Sequence, residues 1–201
     1  MKVKKIIDIC RASGTLLTFD TGADREEWVG DGSALYPLTG VPRCDAKTLC
    51  KMYDIDDKKA RDMRLGDVME LPRAYDFRDN AHGAEHEADR GSVELILRGE
   101  RFVPFFGHVG EVVYINRVYL VPIQDESKRE IRYFLRRTEE GTLYLAVKLG
   151  MLLTALILPN PEAGASAQNV MDIMRIAKDW QKQHSVDPEK TDQIGMEGLE
   201  R

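Results

Sequence analysis

IRYFLRRTEEGTLYLAVKLGMLLTALIL, residues 131–158, contains the most apolar run of the chain and sets its architecture. Thr138-Glu139-Glu140-Gly141 interrupts it after Ile131 to Arg137, and Gly150-Met151 interrupts it again before Leu152 to Leu158. Three extended segments separated by turn residues are therefore expected. In the middle segment Leu143, Leu145, Val147 and Leu149 alternate with Tyr144, Ala146 and Lys148, the period of a strand with one face in a core. A continuous helix over 142–158 is the competing reading, because a dense apolar run also satisfies helical spacing. Lys148 and Gly150 break the run short of the ~20 residues that cross a bilayer, so no membrane span is expected.

Downstream, Ser166 offers a cap to a helix with Val170, Ile173, Met174, Ala177 and Trp180 on one face. That face either packs across its own sheet or takes a partner, a second copy included. After His184 the acids Asp187, Glu189, Asp192, Glu197 and Glu200 outnumber Lys190 and Arg201, so 185–201 reads as a flexible acidic tail. Upstream, Ser92 to Leu97, Phe102 to Phe106 and Glu111 to Ile115 form another hairpin series, and 72–91 turns polar and irregular, a loop or linker. In the first third, Ile6 to Cys10, Thr15 to Asp20 and Glu26 to Gly30 read as strands. Asp31-Gly32, flanked by Trp28-Val29 and Ala34-Leu35-Tyr36, signals a hairpin. Asp45 caps a helix with Ala46, Leu49, Cys50 and Tyr53 on one face, and a more polar helix follows from Asp57 to Arg64. The result is an α+β fold of successive antiparallel hairpins with packed helices. An N-terminal hairpin and helix unit (1–71) and a C-terminal one (92–184) flank the polar segment, and the two are able to form one domain. Nothing resembles the strand, crossover helix and parallel strand of a nucleotide-binding fold.

The 201 residues carry 43% apolar and 31% charged side chains, enough to build a core, and the net charge of −5 limits any nucleic-acid contact to a local patch. Cys10, Cys44 and Cys50 are odd in number and lack metal-ligand spacing, which fits reduced core thiols in a cytoplasmic protein. Met1-Lys2-Val3-Lys4-Lys5 imitates the start of a signal peptide, but Asp8 and Arg11 interrupt the apolar stretch behind it.

Candidate chemistry is sparse. His82-Gly83-Ala84-Glu85-His86 matches HxxEH, a zinc-hydrolase pattern that needs a helix to bring both imidazoles and the glutamate to one metal. Gly83 and the polar surroundings favour a solvated loop instead. Gly30-Asp31-Gly32 is followed by Tyr36-Pro37 rather than by the helix a phosphate loop requires. Lys128, Arg129, Arg132, Arg136 and Arg137, offset by Glu130, give a local charge of +4. Arg132, Phe134 and Arg136 share a strand face that suits nucleic-acid tracking, or equally an edge kept soluble by charge. No serine stands in GxSxG, and His108 and His184 have no sequence partner for nucleophilic catalysis.

Trp28-Val29-Gly30-Asp31-Gly32-Ser33-Ala34-Leu35-Tyr36-Pro37-Leu38, Leu49-Cys50-Lys51-Met52-Tyr53-Asp54-Ile55 and Tyr114-Ile115-Asn116-Arg117-Val118-Tyr119-Leu120-Val121-Pro122 resemble uncharacterised proteins of Firmicutes prophages and mobile elements. Those proteins sit among DNA recombination and replication genes. A shorter stretch is similar to DNA sliding clamps of the polymerase III β type, where a strand with Asp-Gly and a hydrophobic pair precedes a helix. Asp31-Gly32, Leu35 and the Asp45 helix stand in those places, and the likeness implies a reduced clamp-like fold whose ring would need additional subunits. The resemblances imply a non-catalytic accessory of phage or mobile-element DNA metabolism, with no cofactor. It would bind DNA through Lys128 to Arg137, or a replication or recombination protein. The alternatives are an interaction module working through Val170, Ile173, Met174 and Trp180, and a metal hydrolase using His82, Glu85 and His86.

Overall fold

The computed structural model describes residues 3–19, 27–68, 75–81, 83–124 and 130–184. In chain order the elements are α1 (Val3–Ser13), β1 (Thr15–Phe19), β2 (Trp28–Gly30), β3 (Ala34–Pro37), α2 (Ala46–Met52), α3 (Asp57–Asp62), β4 (Arg64–Val68), β5 (Glu85–Glu87), β6 (Asp89–Arg90), β7 (Leu95–Leu97), β8 (Glu100–Phe106), β9 (Val112–Asn116), α4 (Val121–Gln124), β10 (Ile131–Arg137), β11 (Leu143–Leu149), β12 (Leu152–Ile157) and α5 (Pro161–His184). The protein is α+β. Residues 1–164 make one compact unit and 165–201 a second, the boundary falling inside α5.

The apolar run resolves into strands. Ile131 pairs with Leu149 and Arg137 with Leu143 across β10 and β11, and β11 returns into β12 through Gly150, at φ 64°. Turn chemistry thus outweighs helical spacing over 142–158. The Asp31-Gly32 hairpin forms as well. Asp31 Oδ1 accepts from the amides of Ser33 (2.9 Å) and Ala34 (3.1 Å), and Gly32 adopts φ 93°. These hairpins join in one eight-stranded sheet, ordered β4-β1-β2-β3-β12-β11-β10-β5. Strands from before and after the polar segment share that sheet, because β3 pairs with β12. A smaller sheet is built on β8, which pairs with β6, β7 and β9.

Four details depart from the sequence reading. Ile6 to Cys10 is not a strand: Val3, Ile6, Ile7 and Cys10 recur at helical spacing, and the buried face of α1 is completed outside by Lys4–Asp8 and Asp8–Arg11 pairs. One pairing is parallel, β1 with β4, where Asp67 Oδ1 takes the Thr18 hydroxyl (2.7 Å) and the Ala46 amide (2.8 Å) and so fastens the start of α2 to both strands. α5 begins at Pro161 rather than after Ser166, because the Asn160 side chain accepts from the Ala163 amide (2.8 Å) and proline suits the first helical position.

The fourth concerns 72–91, read as a polar loop or linker, whose described residues belong to the compact unit of residues 1–164. Its described residues form a strap and then β5 and β6. The eight-stranded sheet consequently has two covered faces. One carries the main core, with Ile6, Leu49, Phe105, Ile115, Leu145, Val147 and Ile157 among its residues. The other carries Phe19, Trp28, Leu35, Tyr144, Ala146, Leu153 and Leu156, covered by Tyr75 and Phe77 of the strap. Phe77 meets Trp28 edge to face at 5.0 Å, and Tyr75 meets Tyr144 at 5.2 Å. β11 is thus buried on both sides, where the alternation suggested one.

At Gly30 an added Cβ would lie 1.8 Å from the Ala34 carbonyl oxygen. Gly30→Ala is expected to force the β2–β3 hairpin apart and cost about 1–3 kcal/mol, as overpacking does. A lowered midpoint in urea unfolding checks this, and an unchanged midpoint would contradict it.

Candidate interaction surfaces

Period two puts Arg132, Phe134 and Arg136 on one face of β10, as expected, but at Arg136 that face lies beneath other side chains. β5 pairs with β10 so that Glu85 stands opposite Arg136 and Glu87 opposite Phe134. Arg136 is 1% exposed. Its Nε and Nη2 donate to Glu85 Oε2 (2.8 and 2.6 Å), its Nη1 donates to the carbonyls of Asp76 (2.7 Å) and Arg78 (2.9 Å), and Nη2 also donates to the Asp79 carbonyl (3.4 Å). Lys148, also buried, donates to the other Glu85 oxygen and sits 4.3 Å from the centre of the Phe134 ring. A guanidinium enclosed this way cannot reach a phosphate. Arg132 makes a two-pronged pair with Glu87 (2.9 and 2.8 Å), and Arg137 pairs with Glu111. Lys128 and Arg129 lie outside the described residues. At Arg136 and Lys148 the face is an internal charge network built on Glu85, a carboxylate far away in sequence, while Arg132 stays partly exposed in its pair with Glu87.

The same network takes up the glutamate of HxxEH. His82 lies outside the described residues, Glu85 is committed to two cations, and His86, pointing to the opposite side of β5, packs edge to face on His108 at 5.5 Å. Glu85 and His86 are neighbours on β5, so their side chains leave the strand on opposite faces. Among the described residues no group of three metal-ligating side chains comes together.

Burial acts to raise the Glu85 carboxyl, but the hydrogen bonds from Lys148 and Arg136 outweigh it and hold the group below the ordinary glutamate range. For the thiols burial prevails and pushes Cys10, Cys44 and Cys50 upward, the reverse of what a nucleophilic cysteine needs.

Another polar arrangement went unseen in the sequence. Asp31 Oδ2 accepts from the Tyr119 hydroxyl (3.1 Å), and the Tyr119 carbonyl accepts from the Tyr36 hydroxyl (2.7 Å). Burial, with the Asp31 charge adding to it, pushes the Tyr119 phenol up to about 12, so it stays a neutral donor at physiological pH. Asp31 and Tyr119 border a cleft of about 500 Å³ with Glu100, Arg101 and Asn116. Asn116 Nδ2 donates to Glu100 (3.2 Å), and the cleft is a hydrogen-bonding surface.

α5 carries the most exposed apolar surface. Val170, Met171, Ile173, Met174 and Ile176 are 51–66% exposed. Trp180 falls in the same helix, and its side chain lies outside the described residues. Among the described residues no helix is long and apolar enough to cross a membrane.

No protein-family model, curated protein or solved structure matches the chain significantly.

Two measurements probe the network. Arg136→Met keeps the aliphatic bulk but leaves Glu85 with one cation and three carbonyls without their donor, and is expected to cost about 3–5 kcal/mol in urea unfolding. The carboxylate contribution of Glu85 is fully present above the ordinary glutamate pKa of roughly 4.3 and is lost as pH falls through its lowered folded value. Glu85→Gln should therefore flatten the acid limb of the stability–pH curve. An acid limb identical to that of the wild type would show that Glu85 does not carry it.

Proposed function

We propose that this chain is a non-catalytic protein-interaction module that self-associates through the apolar face of α5. The observation that carries the reading is the run of five large apolar side chains, each more than half exposed, on one helix. At about 100 Å² for each side chain, pairing two copies would remove on the order of 1,000 Å² from water, the lower bound of specific interfaces. The charges beside the stripe are mixed: Asp172 and Asp179 against Arg175 and Lys178. They create no field of one sign to select an oppositely charged partner, whereas a second copy of the same helix can oppose acids with bases. The likeness to mobile-element proteins suggests the setting, an accessory of phage DNA metabolism that contacts proteins rather than DNA. Against direct DNA contact stand the committed guanidiniums of Arg132, Arg136 and Arg137.

Sedimentation equilibrium over two decades of concentration tests this. The wild type is expected to approach twice the monomer mass, and the Ile173→Asp, Ile176→Asp double variant to stay monomeric with unchanged thermal unfolding. A wild type monomeric throughout, or a double variant that melts earlier at unaltered mass, would overturn the reading.

A further inference from the structure

α2 and α3 are joined by a tight turn in which Asp54 takes φ 55° and Asp56 accepts from the Lys59 amide (2.7 Å) to start α3. The turn folds the two helices around a groove of about 360 Å³, within the range of small binding sites. Its floor is apolar: Cys50 and Ile55 are buried, and Ala60 and Leu65 are half-buried. Its rim is cationic. Lys47 and Lys51 stand one turn apart on α2 and Arg61 stands on α3, with Asp57 the one carboxylate of the lining. Among the described residues none of these three cations makes an ion pair or hydrogen bond. Arg11, Lys59, Arg78, Arg117 and Arg137 all have carboxylate partners. Leu65 belongs to β4, the terminal strand of the large sheet, whose outer edge is unpaired among the described residues.

We propose that this groove docks an acidic, amphipathic peptide segment of a partner protein. The rim supplies charge complementary to carboxylates, the floor accepts the apolar side chains between them, and the β4 edge offers backbone hydrogen bonds to an extended chain. A nucleic-acid backbone would satisfy the rim but leave the apolar floor unused. The site is independent of self-association through α5 and adds a second kind of partner.

Fluorescence anisotropy on the full chain tests the proposal with four labelled probes of equal length: a leucine–aspartate alternating peptide, a leucine–lysine one, a serine–aspartate one, and a single-stranded oligonucleotide. The leucine–aspartate peptide is expected to bind about tenfold or more tightly than the other three. Lys51→Glu with Arg61→Glu, both on exposed helix positions, should weaken it by about tenfold or more with an unchanged circular dichroism melt. Lys51→Gln should move affinity the same way by less. Equal binding of the serine–aspartate peptide or the oligonucleotide would reduce the groove to a plain anion site and overturn the proposal. So would no binding of the leucine–aspartate peptide, or full affinity in both variants.

Discussion

A guanidinium that cannot reach water must find all its acceptors inside the protein, and Arg136 finds them in Glu85 and three backbone carbonyls of one short segment. That requirement holds 76–79 against the sheet, and with it Tyr75 and Phe77, which close the second apolar face. The ion pair itself contributes little net stability, since removing two charges from water offsets most of their attraction. Its effect is specificity. A strap of polar composition has few apolar side chains to place it, and the buried charge supplies the positional information they lack. Leu153 reinforces the arrangement by donating its amide to Asp79 (2.7 Å), as does Tyr144 by accepting the Asp76 amide (3.0 Å).

Covering both faces of the sheet changes where the protein can meet others. With Arg136 and Lys148 enclosed and the cysteines held as neutral thiols, what stays accessible among the described residues is at the margins: an apolar helix, a hydrogen-bonding cleft, and a groove beside the terminal strand.

Much of the fold was legible because its turns are written in residue types with a mechanism. Asp31-Gly32, Gly141, Gly150 and the Asp45 cap each announce one local geometry, and each is found there. α1 was missed because Ile6 to Cys10 is short, and a short apolar run fits both periods until Val3 is counted. The face shared by Arg132, Phe134 and Arg136 was also legible, being a matter of period two. Its burial was not. Glu85 lies 51 residues before Arg136, and no local pattern reports a contact of that range. The available hint was chemical: Arg136 and Lys148 occur among apolar strand positions, and two cations there call for a carboxylate.

The pairing of Leu35 with Leu156 and of Ala34 with Ile157 closes the large sheet between its third strand in sequence and its last. During vectorial synthesis β3 therefore emerges with an unsatisfied edge and keeps it until nearly the whole described chain has left the ribosome. The long separation makes closure of the sheet a late event, preceded by the local hairpins of β2–β3 and β10–β11. In the interval the exposed edge of β3 is open to any passing strand, so the nascent chain is most vulnerable to mispairing, and most in need of a chaperone, along the seam that later lies deepest inside.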